Sequence, residues 1–111
     1  MVTLALLIFV TVAVAGDVMA VLVFTKRPIP AYATQAHMIS AAVGLAVLLL
    51  ALLTVGGSGL AWIALGIFAA EFAGGYFLFA VLFAGKRAPM WAIAAHGSLG
   101  WIGIVVLFLG R

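Results

Sequence analysis

Pro30-Ala31-Tyr32-Ala33-Thr34-Gln35-Ala36-His37 recurs, altered but recognisable, as Pro89-Met90-Trp91-Ala92-Ile93-Ala94-Ala95-His96. The offset is 59 residues (96 minus 37), and it sets proline on proline, aromatic on aromatic and histidine on histidine. Further along it carries Ala41 to Gly100, Gly44 to Gly103 and Leu48 to Leu107. A short basic break precedes each proline: Lys26-Arg27-Pro28-Ile29-Pro30 in the first copy and Gly85-Lys86-Arg87-Ala88-Pro89 in the second. Proline after a break suits the first turn of a helix, where no amide donor is needed. Each stretch therefore reads as the opening of a helix with one histidine about two turns in. His37 and His96 are the only histidines in the chain.

On either side of these stretches the chain is almost wholly apolar. It has 111 residues, 69% of them hydrophobic and 6% charged, too little polar surface for a water-soluble domain. Four apolar runs, roughly 2–25, 31–55, 60–84 and 89–110, each come near the ~20 residues a spanning helix needs. Gly56-Gly57-Ser58-Gly59 forms the remaining break. Short connections force neighbouring helices to run antiparallel. The expected fold is all-α: one transmembrane domain over residues 1–111, an up-down-up-down four-helix bundle built from two similar helical hairpins. The repeat is clearest in helices 2 and 4 and weaker in helices 1 and 3, where Gly16 maps onto Gly75.

Charge orients this bundle. Lys26, Arg27, Lys86 and Arg87 fall on one side and only Arg111 on the other. The positive-inside rule then puts the basic loops in the cytoplasm and both termini outside, as in a bacterial inner-membrane protein. Tyr32 and Trp91 near the basic side and Trp62 near the other fit an interfacial aromatic belt. Met1-Val2-Thr3-Leu4-Ala5-Leu6 lacks the basic region of a signal peptide, so the first run is expected to stay as a helix even though Ala13-Val14-Ala15 resembles a cleavage site. The net charge of +3 rests on very few residues, which points to a membrane surface and not to nucleic acid. With no cysteine, thiolate metal sites, iron–sulfur clusters and disulfides are excluded.

Polar side chains at membrane depth are costly and mark function. At ~1.5 Å per residue both histidines lie roughly 10 Å below the basic surface. Helices 2 and 4 are parallel and diagonal in a square bundle, so the two imidazoles are expected to face each other across its core. Residues sharing the histidine face are small: Ala41 and Gly44 after His37, Gly100 and Gly103 after His96. Gly16 and Gly75 come at about the same depth on helices 1 and 3. These parts suit a flat, bulky ligand, with Lys26, Arg27, Lys86 and Arg87 above it to meet carboxylates. One b-type haem with two axial histidines is favoured over a bare metal ion and over packing alone. Met38 and Met90 are alternative axial ligands, each better read as apolar filling.

The arrangement resembles the four-helix core of membrane b-type cytochromes, in which histidines on two diagonal helices hold haem and glycines on the other two give the porphyrin room. The resemblance implies a ligand role for His37 and His96 and a spacing role for Gly16 and Gly75. Those cytochromes commonly hold two haems through four histidines, and this chain has histidines for one.

Asp17 on helix 1 and Glu71 on helix 3 are the only acids. Asp17 lies near histidine level and is a candidate to accept a proton from the far nitrogen of a ligating histidine. Glu71 lies near the bilayer middle, on the face of Gly74 and Gly75, and is a candidate to carry protons or to bind a quinone or a cation. The alternative reading of both acids is structural: protonated and hydrogen-bonded between helices. No Glu-x-x-His motif is present for a carboxylate-bridged di-metal centre. The function read from these residues is a membrane electron-transfer protein or haem-bearing anchor subunit, working with another membrane or redox subunit or as a homo-oligomer, and more a carrier than a stand-alone enzyme. One alternative is a small proton-coupled transporter, for which the histidine pair has no evident role. The other is a cofactor-free accessory subunit packing through Gly66, Ala70 and Gly74, a stripe better read as serving the bundle interior.

Overall fold

The structure, a computed structural model, describes residues 1–111 as four α-helices with no strand. They are α1 (Val2–Phe24), α2 (Ala31–Thr54), α3 (Gly59–Phe83) and α4 (Met90–Gly110). Each bound falls within a residue of the apolar runs read from the sequence. All four are long and apolar enough to cross a membrane. In lipid a spanning segment must satisfy its own backbone, which the helix does and an open strand does not.

The breaks between helices are built from local chemistry. Pro30 and Pro89 sit one position earlier than expected, as N-caps in extended conformation (ψ 135° and 138°) and not inside the first turn. At the end of α1, Lys26 takes a left-handed conformation (φ 56°). There the Arg27 amide donates to the Leu22 carbonyl (2.8 Å) and the Lys26 amide to Val23 (3.0 Å). This is a Schellman closure, which glycine favours because it has no Cβ to clash. Fifty-nine residues on, Gly85 holds the same place (φ 72°), with Lys86 donating to Val81 and Gly85 to Leu82 (both 3.1 Å). At the other end of the bundle the Ser58 hydroxyl accepts from the Ala61 amide at the start of α3 and donates to the Gly110 carbonyl (2.6 Å). One side chain thus caps α3 and ties it to the last residue of α4.

Each helix packs against two others: α1 on α2 and α4, α3 on α2 and α4. The backbones of α1 and α3, and of α2 and α4, stay apart, so these pairs are the diagonals of a square. Contacts within each hairpin run in opposite senses, Phe9 to Gly44 and Gly16 to His37 in the first, Phe68 to Gly103 and Gly75 to His96 in the second. Neighbours within each hairpin are therefore antiparallel.

The tightly packed core occupies the half of the bundle away from the basic loops. There Phe9 and Phe68 reach across the α1–α3 diagonal and stack, with ring centroids 3.7 Å apart and planes 7° from parallel. Each ring is seated on a glycine of its own hairpin. A Cβ on Gly44 would stand 3.0 Å from Phe9 Cε1, and one on Gly103 would stand 2.7 Å from Phe68 Cε1. Ala5 and Ala64 are fully buried beside them, as are Leu48 and Leu107. All these pairs differ by 59, so the repeat runs through α1 and α3 as well as α2 and α4.

The outer surface is apolar all round; Phe77 and Phe83, for example, are largely exposed. Gly66, Ala70 and Gly74 belong to this outer surface. A Cβ on Gly66 or Gly74 would meet nothing within 4 Å. The expectation that this stripe serves the bundle interior is therefore corrected: it faces out of the bundle.

Candidate functional site: a histidine-lined cavity

Toward the basic loops the packing loosens, and the two histidines occupy the loosened region. His37 on α2 lies against α1 where Gly16 leaves room, since a Cβ there would stand 3.0 Å from His37 Cε1. His96 on α4 lies against α3 in the same way, and a Cβ on Gly75 would stand 2.9 Å from its Cε1. Gly16 and Gly75, expected to give a porphyrin room, each stand directly against an imidazole. The Nδ1 atom of His37 is buried without a hydrogen-bond partner.

Two cavities flank the pair, and His37, His96, Gly16, Glu71, Phe9 and Phe68 line both. The first extends along the α2–α3 seam past Met38, Phe72 and Tyr76. The second extends along the α1–α4 seam past Asp17, Gly97, Ser98 and Trp101. Under the 59-residue offset Asp17 corresponds to Tyr76 and Gly97 to Met38, so the cavities are symmetry mates with different walls. The stacked Phe9 and Phe68 close both on the side of the packed core. The spaces measure about 130 and 260 Å³, the scale of cavities that hold a benzene-sized ring. A porphyrin between the histidines needs both spaces together and some parting of the hairpins.

Of the two acids it is Glu71, and not Asp17, that lies beside a histidine, while Asp17 makes the alternative interaction, a hydrogen bond between helices. Asp17 is not directed to a histidine: its Oδ2 accepts a hydrogen bond from Trp101 Nε1 (3.1 Å) across the α1–α4 seam. Glu71 is the acid beside the pair, with Oε1 3.9 Å from His96 Nε2. Its carboxyl rests on Gly100, where a Cβ would collide with Oε1. Gly100 therefore seats Glu71 at the wall of the second cavity, while Gly44 and Gly103 seat phenylalanines and line neither cavity. Ala41, the counterpart of Gly100, lines the first cavity. The counterpart of Glu71 on α1 is Val12, so the symmetry of the site is broken by one carboxyl.

Lys26, Arg27, Lys86 and Arg87 are exposed in their loops and line neither cavity. Met38 lines the first cavity, whereas Met90 is exposed outside the bundle and is no ligand candidate. No set of three histidine and acidic side chains is close enough to hold a metal ion together. The donor set that does converge is two imidazoles, presented from diagonal helices with small residues behind them. Two nitrogen donors are fewer than the protein ligands a bare metal ion commonly takes. Phe9, Phe68 and Trp101 were legible only in part: the phenylalanines obey the repeat offset, while nothing local singles out Trp101.

Comparison with known protein families, with characterised proteins and with solved structures finds no match to this chain.

Proposed function

We propose that this chain is a membrane electron-transfer protein, or the haem-bearing subunit of a larger redox complex, and that it binds one b-type haem between His37 and His96. The observation that carries the reading is the shared cavity. Two imidazoles from helices that do not touch line the same pair of spaces, each against a glycine related to the other by the repeat.

The chain's own residues have distinct tasks in this reading. His37 and His96 would hold the iron through imidazole nitrogens, one from each hairpin. Gly16 and Gly75 let the imidazoles turn toward the bundle axis. The Phe9–Phe68 stack keeps the cavity closed on the core side. Lys26, Arg27, Lys86 and Arg87 stand at the basic end, where long side chains reach back toward carboxylates, and the positive-inside rule sets that end in the cytoplasm. Haem, when bound, supplies one-electron chemistry. With helices filling nearly all of its length, the chain exchanges electrons with a second protein, a quinone or another copy of itself.

The test is an optical spectrum of the purified protein made with an ample haem supply. The reading predicts one haem per chain and the sharp, split reduced bands of a six-coordinate low-spin iron. Purification without a Soret band, and failure to take up added haem, would remove it.

A further inference from the structure

His37 and His96 occupy equivalent places in the two hairpins, but only one of them has an acid beside it. Glu71 Oε1 lies 3.9 Å from His96 Nε2, and the matching position beside His37 is Val12. His37 Nδ1, by contrast, is buried with no partner at all. The carboxyl lies against Gly100 on α4, where a Cβ would displace it. Asp17, the only other acid, is engaged by Trp101 on the far side of the α1–α4 seam. Glu71 is thus the one acid placed to act on the pair, and it acts on one member.

We infer that Glu71 is a positioning residue for His96: it accepts a hydrogen bond from one imidazole nitrogen, fixes the tautomer, and makes His96 the stronger electron donor of the two ligands. The inference rests on the haem reading for its redox consequence, but not for its structural one. Closing 3.9 Å to the ~2.7–2.9 Å of a charge-assisted hydrogen bond takes a small side-chain rotation. Carboxylate partners of ligating histidines fix ring orientation and raise ligand basicity, and losing one costs 10–100-fold in metal affinity or activity. The Val12 side chain offers His37 no carboxylate, and what that residue turns to the ring is its backbone. The site therefore holds one imidazole beside a carboxyl and one beside a peptide group.

Two measurements on the full-length protein separate this inference from the reading beneath it. The first needs no haem: nitrogen-15 spectra of the two imidazoles in the cofactor-free protein. Wild type is expected to show His96 with one well-populated tautomer, set by Glu71. Glu71→Gln should alter the His96 signals, leave those of His37 in place, and be reversed in part by Glu71→Asp. Equal tautomer mixtures in wild type, or a Glu71→Gln effect on both rings, would overturn the inference whatever haem does. The second is a redox titration of the haem-loaded protein. Glu71→Gln should favour the reduced form roughly tenfold, a rise of about 59 mV for one electron. Haem bound with the same potential in wild type and Glu71→Gln would remove the tuning role and leave the haem reading intact. Absence of haem in wild type would remove the redox consequence and the haem reading together, while the imidazole spectra still decide the positioning role.

Discussion

Gly74 and Gly75 are adjacent on α3 and face opposite surroundings, so alanine at each gives a matched pair of perturbations. A Cβ on Gly75 would lie 2.9 Å from His96 Cε1 and 3.3 Å from its Nε2. Carbon atoms in good contact are ~3.5–4.0 Å apart, so helix or imidazole must yield by roughly 0.6–1.1 Å. Overpacking of this kind costs about 1–3 kcal/mol. A Cβ on Gly74 meets nothing within 4 Å. Both substitutions gain the same helix propensity, about 0.8–1.0 kcal/mol. Gly74→Ala should therefore stabilise by about that amount. Gly75→Ala should range from neutral to about 2 kcal/mol destabilised. The assay is reversible unfolding of the cofactor-free protein in mixed micelles, followed by circular dichroism, with imidazole spectra as a local check. His96 signals should move in Gly75→Ala and stay in Gly74→Ala. Equal stabilisation by both would refute the placement of His96 against α3. Gly16→Ala, 3.0 Å from His37 Cε1, should behave like Gly75→Ala.

Other consequences follow from the packed half and the turns. Phe9→Ala and Phe68→Ala should each cost about 3–5 kcal/mol, and the double variant should cost less than their sum because the rings share one stack; additive losses would argue that the rings do not touch. Lys26→Gly should stabilise by about 1 kcal/mol, by relieving the left-handed strain that its counterpart Gly85 avoids, and an unchanged unfolding midpoint would count against the shared turn. Ser58→Ala should cost about 1 kcal/mol and speed hydrogen exchange at the Ala61 amide, because the cap on α3 and its tie to Gly110 are lost together.

The helices were legible because lipid demands long apolar runs, and here glycine, proline and basic residues cut those runs cleanly. The histidine pair was legible because the repeat could be aligned on Pro30 and Pro89. What could not be read was which way each helix faces. In water the apolar stripe marks the buried side, but in a membrane both sides are apolar and the stripe vanishes. That is why Gly66, Ala70 and Gly74 were expected inside and lie outside. It is also why Gly100, Gly103 and Gly44 were assigned to a ligand when Glu71, Phe68 and Phe9 rest on them. The offset already paired Phe9 with Phe68 and Ala5 with Ala64, a signal in the sequence that escapes notice when only rare residues are compared. Asp17 and Glu71 were both placed at useful depths, but their partners depend on rotation about the helix axis, which depth does not fix.

The most direct test of the account compares haem content per chain in wild type, His37→Ala and His96→Ala, each purified from membranes in which all three insert equally. The account predicts one haem per chain in wild type and loss of stable, six-coordinate haem in both variants, since either substitution removes an axial ligand and leaves the equivalent glycine seat empty. Equal haem content in all three, or no haem in any, would contradict it.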